Sequence, residues 1–142
     1  MSAGGPISSA TPALHSFLAF DYGTRRVGVA SGNTLTHMVT PMRTIAVEGE
    51  ARFDAIAALI KEWRPDALVV GMPFHPDGAA HDNTVRARRF ARQLHGRFHL
   101  VVHEVDERYS TTEAHAQGAT DADAASAAII LEQFLRTLET TE

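Results

Sequence analysis

The stretch Phe17-Leu18-Ala19-Phe20-Asp21-Tyr22-Gly23-Thr24-Arg25-Arg26-Val27-Gly28-Val29-Ala30 decides how the chain is read. An apolar run ends in one carboxylate, Asp21; a glycine-bearing turn follows, and then a second short β-rich run. A charge at the end of a core strand costs free energy unless something binds it. Asp21 is therefore either the cap of a hairpin turn or a group placed to meet a ligand. The segments further along the chain bear on that choice.

Strand signals cover residues 17–21, 26–31 and, after Pro41, roughly 43–47, and their close spacing predicts a three-stranded antiparallel meander. Over residues 50–63, Phe53, Ile56, Ala57, Ile60 and Trp63 recur at helical spacing, and Pro65 closes the segment. Ala67-Leu68-Val69-Val70-Gly71 is continuously apolar, as a strand buried on both faces requires. A Pro-, Gly- and Asp-containing loop (72–82) leads to a helix over 83–95, with Ala87, Phe90, Ala91 and Leu94 on its buried side. A further buried strand, 100–105, ends in Asp106-Glu107. Ser110-Thr111-Thr112-Glu113 has capping-box form and opens a short helix. Thr120-Asp121-Ala122-Asp123 repeats that form before a last helix striped by Ala124, Ala127, Ala128, Leu131, Phe134, Leu135 and Leu138. The order βββ-α-β-α-β-α-α predicts an α/β fold: a meander continued by two parallel strands, one mixed sheet with helices on both faces.

With 142 residues the chain is long enough for one core. Its 44% hydrophobic and 21% charged content is that of a globular domain rather than a disordered one. Residues 1–15, rich in Gly, Ser, Pro and Ala, read as a flexible tail without the features of a secretion signal, ahead of one domain over 16–140. The absence of cysteine excludes disulfides and thiolate metal sites and suits a reducing cytosol. No apolar stretch approaches the roughly 20 residues that span a bilayer, so no membrane association is expected. A net charge of −4 argues against a strongly basic nucleic-acid binder. The charge is uneven, however: five arginines (86, 88, 89, 92 and 97) and no acid fall between Asn83 and His103.

If the first and last strands lie near the sheet centre, Asp21, Asp106-Glu107 and Asp123 come together. Converging carboxylates repel and raise one another's pKa, and divalent cations resolve that conflict. Oxygen-only ligands favour Mg²⁺ or Mn²⁺ over zinc. Each acid also has a plain structural use. Asp123, in a first helical turn, offsets the helix dipole, and Asp106-Glu107 make a polar exit from a strand. Neighbouring strand residues point to opposite faces, so one of that pair meets Asp21, with Glu107 having the longer reach. Arg25 and Arg26 follow the turn, where they contact phosphate or are simply solvated. His95, His99 and His103 are spaced by four but cross from helix to strand, so no histidine metal site is expected. The loop 71–78 leaves a strand at the edge where such sheets bind ligands, although a plain connection has the same composition.

Together these segments resemble the YqgF family, RuvC-like proteins of the RNase H-like fold, described as pre-16S ribosomal RNA nucleases or Holliday-junction-resolvase homologues. Four blocks carry the likeness in the family's order, spanning roughly residues 17–138. They are 21–30; Val69-Val70-Gly71-Met72-Pro73 with Asp77-Gly78; Asp106-Glu107-Arg108-Tyr109-Ser110-Thr111; and Asp123-Ala124-Ala125-Ser126-Ala127 with Ile130-Leu131 and Phe134-Leu135. The resemblance implies a cytoplasmic enzyme maturing the 5′ end of 16S ribosomal RNA. It implies catalysis by Asp21, Asp106 or Glu107, and Asp123, with Asp21, Glu107 and Asp123 holding Mg²⁺ or Mn²⁺. Arg25, Arg26 and Arg108 are expected to position phosphates, with Arg88, Arg89 and Arg92 adding nucleic-acid contacts. Two departures stand out. Asn33 replaces an acid common after the second strand, and Gln117-Gly118-Ala119-Thr120-Asp121 replaces basic residues common before the last helix. The latter removes positive charge that would attract a polynucleotide.

Other readings remain. The same chemistry permits resolution of DNA four-way junctions, which needs a homodimer where RNA cleavage is open to a monomer. A non-catalytic nucleic-acid-binding factor would keep the fold without hydrolysis. Asp-Tyr-Gly-Thr also resembles the first phosphate loop of the actin–sugar-kinase ATPases, which require two such domains.

Overall fold

The computed structural model describes residues 15–73, 82–106 and 122–140, with residues 139 and 140 described by backbone only. The tail over 1–14, the loop 74–81, the helix expected from Ser110 and the cap at Thr120-Asp121 lie outside the described residues. Strands β1 (Ser16–Tyr22), β2 (Val27–Asn33) and β3 (Val39–Ile45) precede helix α1 (Glu50–Trp63). Then come β4 (Ala67–Met72), α2 (Asp82–Phe98), β5 (Val101–Asp106) and α3 (Ala122–Thr140). The five strands form one sheet in the order β3-β2-β1-β4-β5. The β1–β2 and β2–β3 pairs are antiparallel, and the β1–β4 and β4–β5 pairs are parallel.

Alternation along the strands sorts the core into two layers. Leu18, Phe20, Val27, Val29, Leu68, Val70 and Met72 face α1 and α2, meeting Phe53, Ile56, Leu59, Phe90 and Leu94. Phe17, Ala19, Ala67 and Val69 face the other way, onto Ile130, Leu131, Phe134 and Leu135 of α3. Helices thus cover both faces, as the pattern predicts, and β4 is buried along its whole length.

Two expectations are corrected. The third strand was expected at 43–47, after Pro41, but β3 begins at Val39 and runs through that proline. Proline lacks the N–H a central ladder needs, but β3 is an edge strand, where it is tolerated. A register shift at Val29/Ala30 absorbs the irregularity, with Arg43 opposite Val29 and Pro41 opposite Ala30. The last strand, placed conditionally near the sheet centre, is instead an edge strand, with β4 between it and β1.

Local polar bonds fix the start of β1. The Asp66 carboxylate accepts the amides of Ser16 and His15, both at 2.9 Å. These bonds hold its pKa below the usual value. On β5, His103 stacks on Phe134 of α3 with ring centroids 4.7 Å apart, and its buried Nε2 has no hydrogen-bond partner among the described residues. Burial pushes the His103 pKa below the ordinary 6.5. The unfolded chain then takes up the proton first, so stability is lost as pH falls from about 6.5 toward the lowered value. A thermal-melt series should show the midpoint dropping over this interval, and His103→Leu should flatten that part of the profile. An unchanged slope in the variant would refute the assignment.

Candidate active site

Asp21 stands near the C-terminal end of β1, the central strand, and is half-buried. It shares the parity of Phe17 and Ala19 and so belongs to the α3 face. Its ladder partner is Gly28 of β2, and opposed residues of an antiparallel pair point to the same face with Cα atoms about 5 Å apart. A Cβ built on Gly28 would lie 1.9 Å from the carbonyl oxygen of Asp123 and 2.9 Å from the amide nitrogen of Ala124. The first turn of α3 therefore rests directly on Gly28, one residue's width from Asp21. A helix start can approach a strand this closely only where no side chain intervenes. The backbone of Asp123 thus lies against the ladder partner of Asp21.

Asp123 is half-buried in the first turn of α3, and its Oδ2 lies 3.2 Å from Nε of Arg26. Arg26 belongs to the turn after Asp21, so the turn and the helix start are joined by charge as well as by packing. Arg25 is exposed in the same turn. The turn is held from the other side by Arg52 of α1, a residue the sequence reading missed. Arg52 is buried, donates from Nη2 to the Thr24 carbonyl and from Nε to the Val47 carbonyl, each at 3.0 Å, and its guanidinium lies 5.7 Å from the centre of the Tyr22 ring. In sequence Arg52 looks like any solvated helix arginine; only its first-turn position after a Gly-terminated loop hints at loop carbonyls within reach. Gly28 was quoted but not recognised as a docking point.

Asp106, Arg88, Arg89 and Arg92 do not join this group. Asp106 ends β5, exposed, opposite Met72 in the ladder. Met72 faces α2, so Asp106 takes the face away from Asp21. Glu107 and Arg108 lie outside the described residues. Arg88, Arg89 and Arg92 are exposed on α2, across the sheet from α3. Arg88 pairs with Glu104 at 3.5 Å. The arginine-rich helix face is thus separated from the acids by the thickness of the sheet.

Among the described residues no three His, Asp or Glu side chains gather around one point. The pair that does meet has the right chemistry for a hard cation: Mg²⁺ typically takes one or two carboxylates, with waters and phosphate oxygens completing the shell. The side-chain-free floor at Gly28 leaves both acids one pole of the sheet.

Sheet order, helix placement and the acids at a strand end and a helix start define a RuvC-like domain of the RNase H-like fold. Thermus thermophilus RuvC shares this fold. Its structure in complex with a Holliday junction substrate superimposes with a TM-score of 0.57 at 15% identity, covering 89% of this chain and 97% of that one. A second structure of the same protein gives 0.53 at 13% identity, with the same coverage. The chain belongs to the RuvX family, whose model, described as Holliday junction resolvase, matches residues 15–137. Membership places it among hydrolases of phosphodiester bonds. Relatives named "Putative pre-16S rRNA nuclease" include one from Polaromonas sp., 67% identical over 128 residues, covering 90% of this chain and 93% of the relative. Those from Albidiferax ferrireducens (66%, covering 88% and 80%) and Paraburkholderia phytofirmans (54%, covering 83% and 86%) carry the same name. No helix among the described residues is long and apolar enough to cross a membrane.

Proposed function

We propose that this protein is a divalent-metal-dependent endonuclease that cleaves the 5′ extension of pre-16S ribosomal RNA, a substrate that locates it in the cytoplasm. The observation that carries this reading is the contact of the α3 first turn with Gly28, which sets Asp123 beside Asp21. Asp21, Asp123 and Glu107 would hold Mg²⁺ or Mn²⁺. Glu107 is preferred over Asp106 because Asp106 takes the face of the sheet away from Asp21. The bound ion would polarise the scissile phosphate and lower the pKa of an attacking water.

The chain's own residues supply position and charge. Arg26 shields Asp123 until an ion or phosphate competes for it, and Arg25 and Arg108 orient the phosphates on either side of the scissile bond. Arg88, Arg89 and Arg92, on the far face, meet only phosphates remote from that bond, adding salt-dependent affinity rather than catalysis.

The family description favours a second reading, resolution of DNA four-way junctions. Incubating the purified protein with Mg²⁺ or Mn²⁺ and, in parallel, a 5′-extended ribosomal RNA fragment and a DNA four-way junction separates the readings. The expected result is metal-dependent cleavage of the RNA, abolished by EDTA, with the junction intact. Symmetric junction cutting by a dimer with the RNA intact would reverse the assignment. Binding without cleavage of either would identify a non-catalytic factor.

A further inference from the structure

The pole of the sheet opposite Asp21 carries a second concave site. A cavity of about 330 Å³ opens where β1 begins, with Trp63, Met38 and Pro65 as apolar walls and Asn33, Thr36 and Thr40 as polar ones. Trp63 is 49% exposed and Met38 65% exposed, unusual for residues so large and apolar. Of the side chains lining the cavity none is ionisable, so the site does not suit a phosphate or a metal ion. A flat neutral heterocycle with hydrogen-bonding edges matches it. An indole offers the stacking face, and the hydroxyls and the amide offer partners for the edges.

The surroundings narrow the choice. In sequence Trp63 stands between Glu62 and Arg64, two residues after Lys61, and all four are exposed. Arg64 takes the left-handed conformation that ends α1. A neutral slot with one aromatic wall matches a base whose backbone phosphates stay outside. Ser16, at the cavity, and Asp21 lie on one strand, about 17 Å apart at 3.3–3.4 Å per residue.

We propose that this cavity binds one nucleobase of a single-stranded segment, stacked on Trp63. Resting on the nuclease reading above, it is where the substrate strand is gripped away from the scissile bond. Trp63 is the sole tryptophan of the chain, so its fluorescence reports the site directly. Adenosine, which no nuclease can cleave, and a labelled single-stranded oligoribonucleotide in EDTA are titrated separately. Both should quench Trp63 emission saturably. Trp63→Ala should weaken strand binding, read by anisotropy, about tenfold, and Trp63→Phe should restore most of it.

Strand binding with Trp63 emission unmoved would overturn this inference and leave the nuclease reading intact. Adenosine quenching by a protein that cleaves no RNA would uphold the site while the nuclease reading fell. An emission shift that follows protein concentration instead of added nucleoside would make the patch a contact between copies of the chain, and would overturn the inference too.

Discussion

Asp21→Asn should abolish metal-dependent cleavage while leaving the fold intact. Asparagine keeps the size and shape of the side chain but loses the charge that holds a hard cation. Loss of the polarising ion removes several kcal/mol of transition-state stabilisation, equivalent to at least about a thousandfold in rate. The fold should survive because Asp21 is half-buried at a strand end, and its ladder bonds to β2 are made by backbone. Circular dichroism and a thermal melt would verify that the variant is native, and a single-turnover assay with excess enzyme would read the rate. Cleavage within tenfold of the parent would remove Asp21 from the mechanism and with it the case for a two-acid centre.

Gly28→Ala should be nearly as damaging, by a different route. The new methyl would stand 1.9 Å from the Asp123 carbonyl oxygen, a backbone atom that cannot rotate away. Either α3 withdraws at its first turn or β2 bends from the ladder. Overpacking of this kind costs about 3 kcal/mol, seen as a lower denaturation midpoint, and Asp123 moves away from Asp21. Activity should therefore fall further than the loss of folded protein accounts for. Gly96→Ala is the matched control: it lies in α2, where an added methyl meets nothing within 4 Å, and both stability and activity should be kept. Full activity in a folded Gly28→Ala protein would show that Asp123 need not sit where it does.

These two residues illustrate what the sequence could and could not reveal. The strands, the main helices and the pairing of Asp21 with Asp123 follow from local signals: apolar alternation, a capping pattern, a charge at a strand end. The position of β5 does not, because a parallel strand reached through a helix can join the sheet on either side of its predecessor, and no residue in β5 states which. The face of the arginine-rich helix depends on that same choice, which is why the sequence does not say on which side of the sheet Arg88, Arg89 and Arg92 lie. Pro41 misplaced the start of β3 because its effect depends on whether the strand is central or peripheral. Gly28 and Arg52 were opaque for a further reason. A strand glycine and a helix arginine are ambiguous until the partner backbone is known: the α3 turn for one, the Thr24 and Val47 carbonyls for the other.

The docking of α3 on Gly28 also sets a timetable. Asp21 belongs to the first strand described and Asp123 to the last helix described, so the two acids come near one another only by closing almost the whole described domain. Chains fold from the N-terminus as they are made, yet here no early intermediate holds both acids. A nascent or truncated polypeptide without α3 has the strand-end acid and lacks its counterpart. The proposed hydrolysis is thereby withheld until translation of α3 is complete, a safeguard built from topology for an enzyme whose substrate belongs to the translation machinery.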